Sequence, residues 1–384
     1  MQNLFWVFIS IGLILGSSYF LLIASYCYAW TIMKTSSDRD EQSVLISVVL
    51  VTRNEEKNIS ICLDALLAQY YPLDKFEIIV VDDHSTDSTL KIIRNYSEKN
   101  AQIKYFELSE NAEGKKQGIS KAIELSSAEL IVTTDADCKM GIHWLSSIAT
   151  FYKKTDAKMI VAPVSFYNEK TIFEKMQSLE FMALIACGGA SLCNKKAIMC
   201  NGANLAYTKN VFLEVNGFAE NEKKASGDDV LLMYKINKLF PGKVVFFKNK
   251  EAIVYTKPMN SIKKFVQQRK RWASKGFFAL NTESKRVSLL VYLFNAYLVF
   301  IPLIGAVCLS NGPFYALFMG ISLILIGIKY IIDFLLLFLA ASFFGKKEFL
   351  IFFIPEQIIY MIYVAFFGLF GSLGKYEWKG RLTN

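Results

Sequence analysis

Histidine is nearly absent from this sequence, and cysteine is never paired. Only His84 and His143 occur in 384 residues, and the seven cysteines at 27, 62, 138, 187, 193, 200 and 308 form no CxxC pair. That argues against a Cys/His zinc site and against a disulfide framework, and it suits reduced thiols in a cytosolic domain. No internal repeat and no low-complexity tract is present, which argues against a solenoid or a long disordered region. No basic residue precedes the first apolar run, and that run exceeds the roughly 7–15 residues of a signal-peptide core. A membrane helix is therefore expected there rather than a cleaved leader. The net charge is +9, yet no nucleic-acid motif accompanies it.

What is abundant is apolar. Hydrophobic residues make up 53% and the mean hydropathy is +0.31. The excess sits in four stretches, residues 4–30, 287–310, 313–344 and 349–373. Each holds at least the roughly 20 residues that a helical span needs. Lys263, Lys264, Arg269, Lys270, Arg271, Lys275, Lys285 and Arg286 cluster just before the second stretch. They fit a surface against anionic headgroups, or a solvated helix face. Lys34 and Arg39 follow the first stretch, so the positive-inside rule puts the N-terminus outside and the middle of the chain in the cytoplasm. The loop at 345–348 should be cytoplasmic too. Four full spans would then place Lys375, Lys379 and Arg381 outside, against the rule. Pro355 and Glu356 interrupt the fourth stretch, so part of it is expected to be interfacial or re-entrant. Lys329 and Asp333 stand four apart within the third stretch, close enough to pair on one helix face.

Between the apolar ends, after a polar linker at 35–43, strand and helix patterns alternate with short connections. Strands are expected at 44–52, 75–83, 103–108 and 129–135, with helices over 53–71, 85–100 and 114–128. The expected fold class is α/β, doubly wound, with a mostly parallel sheet. Such sheets bind ligands beyond the carboxyl ends of their strands, where three polar clusters fall.

The first cluster is Thr52-Arg53-Asn54-Glu55-Glu56, fit to hold a nucleotide or, through Asn54, to cap the next helix. The second is Asp82-Asp83-His84-Ser85-Thr86-Asp87. Ser85, Thr86 or Asp87 can cap a helix, but that leaves Asp82 and Asp83 unexplained, and a carboxylate there can accept from a base or ribose. The third is Asp135-Ala136-Asp137, two carboxylates able to aim oxygens at one Mg²⁺ or Mn²⁺, or else to stand in a solvated turn. Met140 and Lys139 occupy positions where a calcium EF-hand loop needs Gly and a DxDxT phosphatase needs Thr. Further on, Gly227-Asp228-Asp229 opens a helix. Its acids either complement the helix dipole or supply a general base. Gln268-Arg269-Lys270-Arg271-Trp272 reads as a basic helix at the membrane surface, or as an Arg for a diphosphate beside a Trp for a sugar.

In this order, SVVLVTRNEEKNI, IIVVDDHSTDST, GKKQGISKAI, IVTTDADC, NGANLAYTK, GDDVLL and QRKRW resemble an inverting membrane-bound glycosyltransferase of family 2, over about residues 44–275. The resemblance implies a GT-A fold, flanked by a transmembrane helix at 4–30 and a membrane region at 287–373. It implies that Thr52, Asn54, Glu56, Asp82 and Asp83 hold the nucleotide and that Lys115 lies near its phosphates. Asp135 and Asp137 would be the DxD pair, with Asp137 the direct ligand of Mg²⁺ or Mn²⁺. Asp229 matches the base, beside Asp228, and Gln268, Arg271 and Trp272 match QxxRW. Gly202, Ala203 and Asn204 match a segment near the acceptor. Three departures stand out: Thr52-Arg53 replaces a usual Pro, His84 a usual Gly, and Asp228 the Glu of a usual Glu-Asp pair. None removes a carboxylate. The implied partners are a nucleotide-sugar donor, a lipid or glycan acceptor and a membrane, expected to be the bacterial inner membrane, in cell-envelope glycan or glycolipid synthesis. A processive polysaccharide synthase is the alternative, and an inactive nucleotide-sugar-binding protein a further one.

Overall fold

The computed structural model describes residues 2–35, 44–219, 227–273, 281–308, 313–370, 376–378 and 381–383. Linker residues 36–43, including Arg39, and Lys275, Lys375 and Lys379 lie outside these. The helices are α1 (Gln2–Ile32), α2 (Ile59–Leu67), α3 (Thr89–Lys99), α4 (Lys115–Leu125), α5 (Trp144–Lys154), α6 (Ile172–Cys193), α7 (Lys209–Glu214), α8 (Asp228–Leu239), α9 (Ile262–Ala273), α10 (Thr282–Cys308), α11 (Pro313–Phe344) and α12 (Phe353–Phe370). The strands are β1 (Ile46–Thr52), β2 (Phe76–Asp82), β3 (Ile103–Glu107), β4 (Leu130–Thr133), β5 (Lys139–Met140), β6 (Met159–Val161), β7 (Val164–Phe166), β8 (Leu205–Thr208), β9 (Val244–Phe246), β10 (Val254–Thr256), β11 (Tyr376–Trp378) and β12 (Arg381–Thr383).

Strand β1 shows why the sheet is parallel. Its side chains are buried on both faces, which a parallel sheet covered by helices requires. Ile46, Val48 and Leu50 join a core with Leu63 of α2, Ile93 of α3 and Trp144 of α5, while Val49 joins Ile119 of α4 and Met182 of α6 on the other side. The seven-stranded sheet runs β3-β2-β1-β4-β8-β6-β9. It is parallel through β4, then β8 runs antiparallel between β4 and β6, and β9 returns parallel to β6. The carboxyl ends of β1, β2 and β4 therefore share one edge. A small sheet, β5-β10-β7, stands beyond it.

Two local expectations are corrected. The helix expected from residue 53 begins at Ile59, because Asn54 takes a left-handed turn with φ 53°. Asn54 does not cap it: its Oδ1 accepts from the backbone of Thr86 at 2.8 Å, across to the neighbouring strand-tip loop.

Among the described residues five helices are long and apolar enough to cross a membrane: α1, α6, α10, α11 and the segment from Lys347 to Phe366. Helix α6 was not anticipated as one of them. It is the most buried of the five, since it packs between strands β7 and β9 and the helices α1, α11 and α12. Three contacts tie the ends of these apolar helices to the domain. Lys248 donates to the carbonyl of Trp30 at 2.5 Å, near the end of α1. Asn281 and Ser284, at the start of α10, donate to the carbonyls of Ala197 and Ile198. Lys346, after α11, donates to the carbonyl of Phe166 at 2.6 Å. Pro355 falls in the first turn of α12, where a missing N–H is harmless. Both flanks of α12 lie beside the catalytic domain: Lys175 of α6 sits over the Phe349 ring, and β11 rests against α9. The expected Lys329–Asp333 pair is present, at 2.5 Å.

Candidate active site

Lys115 stands where three motifs meet. It opens α4, and its Nζ donates to Asp135 Oδ1 at 2.6 Å and lies 3.6 Å from Asp228 Oδ2. Burial works against its charge, but the carboxylates of Asp135, Asp228 and Asp229 outweigh burial and hold its pKa well above the ordinary lysine value. The lysine expected near the phosphates is thus also the cation that lets acids from two distant segments share one site.

Asp229 sits in the first turn of α8 with its carboxylate fixed at both oxygens. Oδ2 accepts from the backbone N–H of Gly202 at 3.0 Å, and Oδ1 from the N–H of Val230 at 2.8 Å. A carboxylate offers about four lone-pair sites, so these bonds aim it without exhausting it. The close approach needs glycine at 202. A Cβ there would lie 3.3 Å from both Asp229 Cβ and Lys115 Nζ, tighter than packed side chains normally allow. Thr133, at the tip of β4, holds the Gly202 carbonyl at 3.1 Å. Ala203 donates its N–H to Asn201 Oδ1. Asn204 is fully buried and engaged within the domain: it donates to the carbonyls of Pro163 and Ala252 and accepts from the Trp144 indole. Its place is that of a post behind the Gly202 segment.

Asp135 and Asp137 follow β4, and oxygens of both, with the Cys138 sulfur, lie within 4.8 Å of one another. Asp137 Oδ2 accepts from Thr256 of β10 at 3.3 Å. Burial, then Asp137 and Asp135, push the Cys138 and Cys62 thiols up, so neither supplies a thiolate. The donor set is two hard carboxylates, one tied to Lys115. Such a set fits Mg²⁺ or Mn²⁺ through Asp137.

At the tips of β1 and β2 much of the polar chemistry is internal. Asp82 accepts from the Ser85 backbone at 2.9 Å and its hydroxyl at 2.6 Å, closing the turn. Asp83 is buried, with His84 Nδ1 3.2 Å from its Oδ1. His84 has φ 57°, the left-handed conformation that explains a usual glycine at this position. Asp87 accepts from the Thr89 N–H, and Glu56 from the Ser88 N–H, so both cap the start of α3. The Thr52 and Thr134 hydroxyls are buried with no hydrogen-bond partner among the described residues. In α9 the Gln268 amide oxygen is likewise buried without a partner, and Trp272 packs on the Arg269 guanidinium at 4.2 Å. Arg271 is part-exposed one residue before Trp272.

Sequence reasoning missed Thr256, which donates to Asp137 from a strand that carries no motif.

Comparison with known proteins agrees with this geometry. Residues 47–215 match the family described as Glycosyl transferase family 2. The chain is 25% identical over 302 residues to the poly-beta-1,6-N-acetyl-D-glucosamine synthase of Staphylococcus epidermidis, covering 75% of this chain and 69% of that one. It is 28% identical over 283 residues to the probable glycosyltransferase YdaM of Bacillus subtilis, covering 70% and 65%. Among solved structures, the mannosyltransferase PcManGT from Pyrobaculum calidifontis, in complex with GDP-Man and Mn²⁺, superposes with a TM-score of 0.60 at 18% identity, over 91% of this chain and 99% of that one. That likeness shows the fold. With the family match, it identifies residues 47–215 as a glycosyltransferase family 2 domain with a GT-A-like α/β fold, flanked by apolar helices.

Proposed function

We propose that the enzyme transfers a sugar, with inversion, from a nucleotide-sugar to a hydroxyl of a membrane-associated acceptor, and that Asp229 is the general base. The observation that carries this is the convergence of Asp135, Asp228 and Asp229 on Lys115 beside Gly202. The nucleotide would lie over the tips of β1 and β2, where Thr52, Asn54, Glu56, Asp82 and Asp83 shape the loops. UDP is the expected nucleotide. The metal, Mg²⁺ or Mn²⁺, would be held by Asp137 beside Asp135, and when bound it supplies positive charge to the leaving diphosphate. Arg271 adds a guanidinium there, with Gln268 and Trp272 bounding the sugar. Asp229, aimed by the Gly202 and Val230 amides, takes the acceptor proton as the oxygen attacks the face opposite the leaving group. Asp228, on Lys115, keeps the neighbouring charge balanced.

The catalytic domain is placed in the cytoplasm. Helices α1, α10 and α11 cross, and α12 lies in the interface. Ends of the three crossing helices meet the domain, and with an interfacial α12 the basic tail stays on the domain's side, which removes the conflict with the positive-inside rule. A bacterial inner membrane suits this arrangement. The similarity to a polysaccharide synthase favours a processive second reading, in which the acceptor is the growing glycan.

The test is nucleotide release by the purified protein with Mn²⁺ or Mg²⁺, over UDP- and GDP-sugars, with and without membrane lipid extract. Asp229→Asn should keep donor affinity and lose transfer by roughly 10²–10⁴-fold, the span general bases supply. Transfer at the wild-type rate would remove Asp229 from the mechanism.

A further inference from the structure

Beneath the catalytic domain a cavity of about 610 Å³ opens between α6 and the helices α1, α10, α11 and α12. Most of its wall is aliphatic, such as Leu22, Leu184 and Leu337. Along α1 it runs from Tyr26 to Tyr19, four to eleven residues from Trp30 at the domain surface. At 1.5 Å per residue that is about 6 to 17 Å into the adjacent leaflet. Charged groups interrupt this wall. Arg269 lines it, 6% exposed, and donates one nitrogen to Glu180, which also accepts from the Tyr363 hydroxyl. The Arg269 Nε and Nη1 are buried and have no hydrogen-bond partner among the described residues. Two such guanidinium donors in the wall of a mostly apolar cavity imply acceptor oxygens on whatever occupies it.

The charge around them selects the ligand. Glu180, Glu356 and Asp333 also face the cavity, with Lys329 bonded to Asp333 and Gln357. A phosphate would meet these carboxylates, whereas neutral carbonyl oxygens would satisfy Arg269 without that repulsion. The wall also leads to the reacting centre. Met199 lines the cavity, and Gly202, bonded to Asp229, is three residues on, a reach of about 11 Å at most.

We propose that this cavity binds the acceptor: a neutral, hydroxyl-terminated lipid of the diacylglycerol type, its chains in the slot and its carbonyls on Arg269. The assignment rests on the acceptor reading above and narrows it. Lipid binding separates the two. Native mass spectrometry of the purified full chain should show one dioleoylglycerol bound, and dioleoylphosphatidic acid bound at least tenfold more weakly. Ala183→Phe, which fills the slot from α6, should weaken dioleoylglycerol binding at least tenfold and leave donor affinity unchanged. Arg269→Lys keeps the charge against Glu180 but removes the fork, and should weaken it as well. Equal binding by wild type and both variants, no binding at all, or preference for the phosphatidic acid would overturn the assignment. If dioleoylglycerol binds as expected but no donor is ever turned over, the cavity stands and the transfer reading falls.

Discussion

Lys115 neutralises acids that would otherwise repel, so the site depends on one ammonium. Because the neighbouring carboxylates hold its pKa above the ordinary value, it stays charged across the neutral and mildly alkaline range. The two DxD acids are held differently: Asp135 is bonded to Lys115, and Asp137, which accepts from Thr256, is the proposed metal ligand. Asp137→Ala is expected to abolish the increase in donor affinity that Mn²⁺ provides, measured by calorimetry with and without chelator. Equal affinity in both conditions for the wild type would count against the metal role. At this scale the sequence pointed to motifs that do meet in the fold: Lys115, Asp135, Asp228 and Asp229 lie together. It was misleading where a side chain is used locally. Asn204 has both amide donors and its oxygen engaged by Pro163, Ala252 and Trp144, and nothing in NGAN distinguishes a buried post from an acceptor contact. His84 hides a left-handed backbone that only a glycine would have advertised.

The elements show the same division. The periodicity of β1, β2 and α4 located them, since most of what each buries is apolar. Helix α6 escaped because its buried face carries Glu174, Gln177 and Glu180, polar residues satisfied only by tertiary partners or by its own cap. Glu77 is the clearest polar tie inside the sheet. It accepts from Ser47 of β1 at 2.5 Å, from Lys104 of β3 at 2.7 Å and from Ser127 before β4 at 2.8 Å. Burial raises its pKa, but these bonds outweigh burial and hold it below the ordinary value. A depressed carboxylate stabilises the fold above its unfolded pKa, and that stability is lost as pH falls through the folded value. The wild-type melting temperature should therefore drop from about pH 5 downward, and Glu77→Gln should flatten this slope while lowering stability at pH 7 by roughly 1–3 kcal/mol. Parallel pH profiles for the two proteins would show that Glu77 does not govern acid stability.

For the whole molecule, the decisive feature is that the long apolar helices and the catalytic sheet share one core, joined through α6. The hydropathy pattern found the apolar segments but not which of them cross, because crossing depends on where both ends are anchored. Lys248 on Trp30 and Lys346 on Phe166 put the end of α1 and the turn after α11 on the domain's side. In a cysteine-free background, a membrane-impermeant maleimide applied to intact spheroplasts should label Gln2→Cys and spare Glu348→Cys. Labelling of Glu348→Cys from outside would reverse the orientation.

The central claim is a single displacement at the anomeric carbon with Asp229 as base, and its stereochemistry is its most direct consequence. The measurement is the anomeric configuration of the transferred sugar, by proton NMR of the product made from an α-linked nucleotide-sugar. The account predicts a β-linked product. An α-linked product would mean retention, and would contradict a mechanism in which Asp229 activates the acceptor for attack opposite the leaving diphosphate.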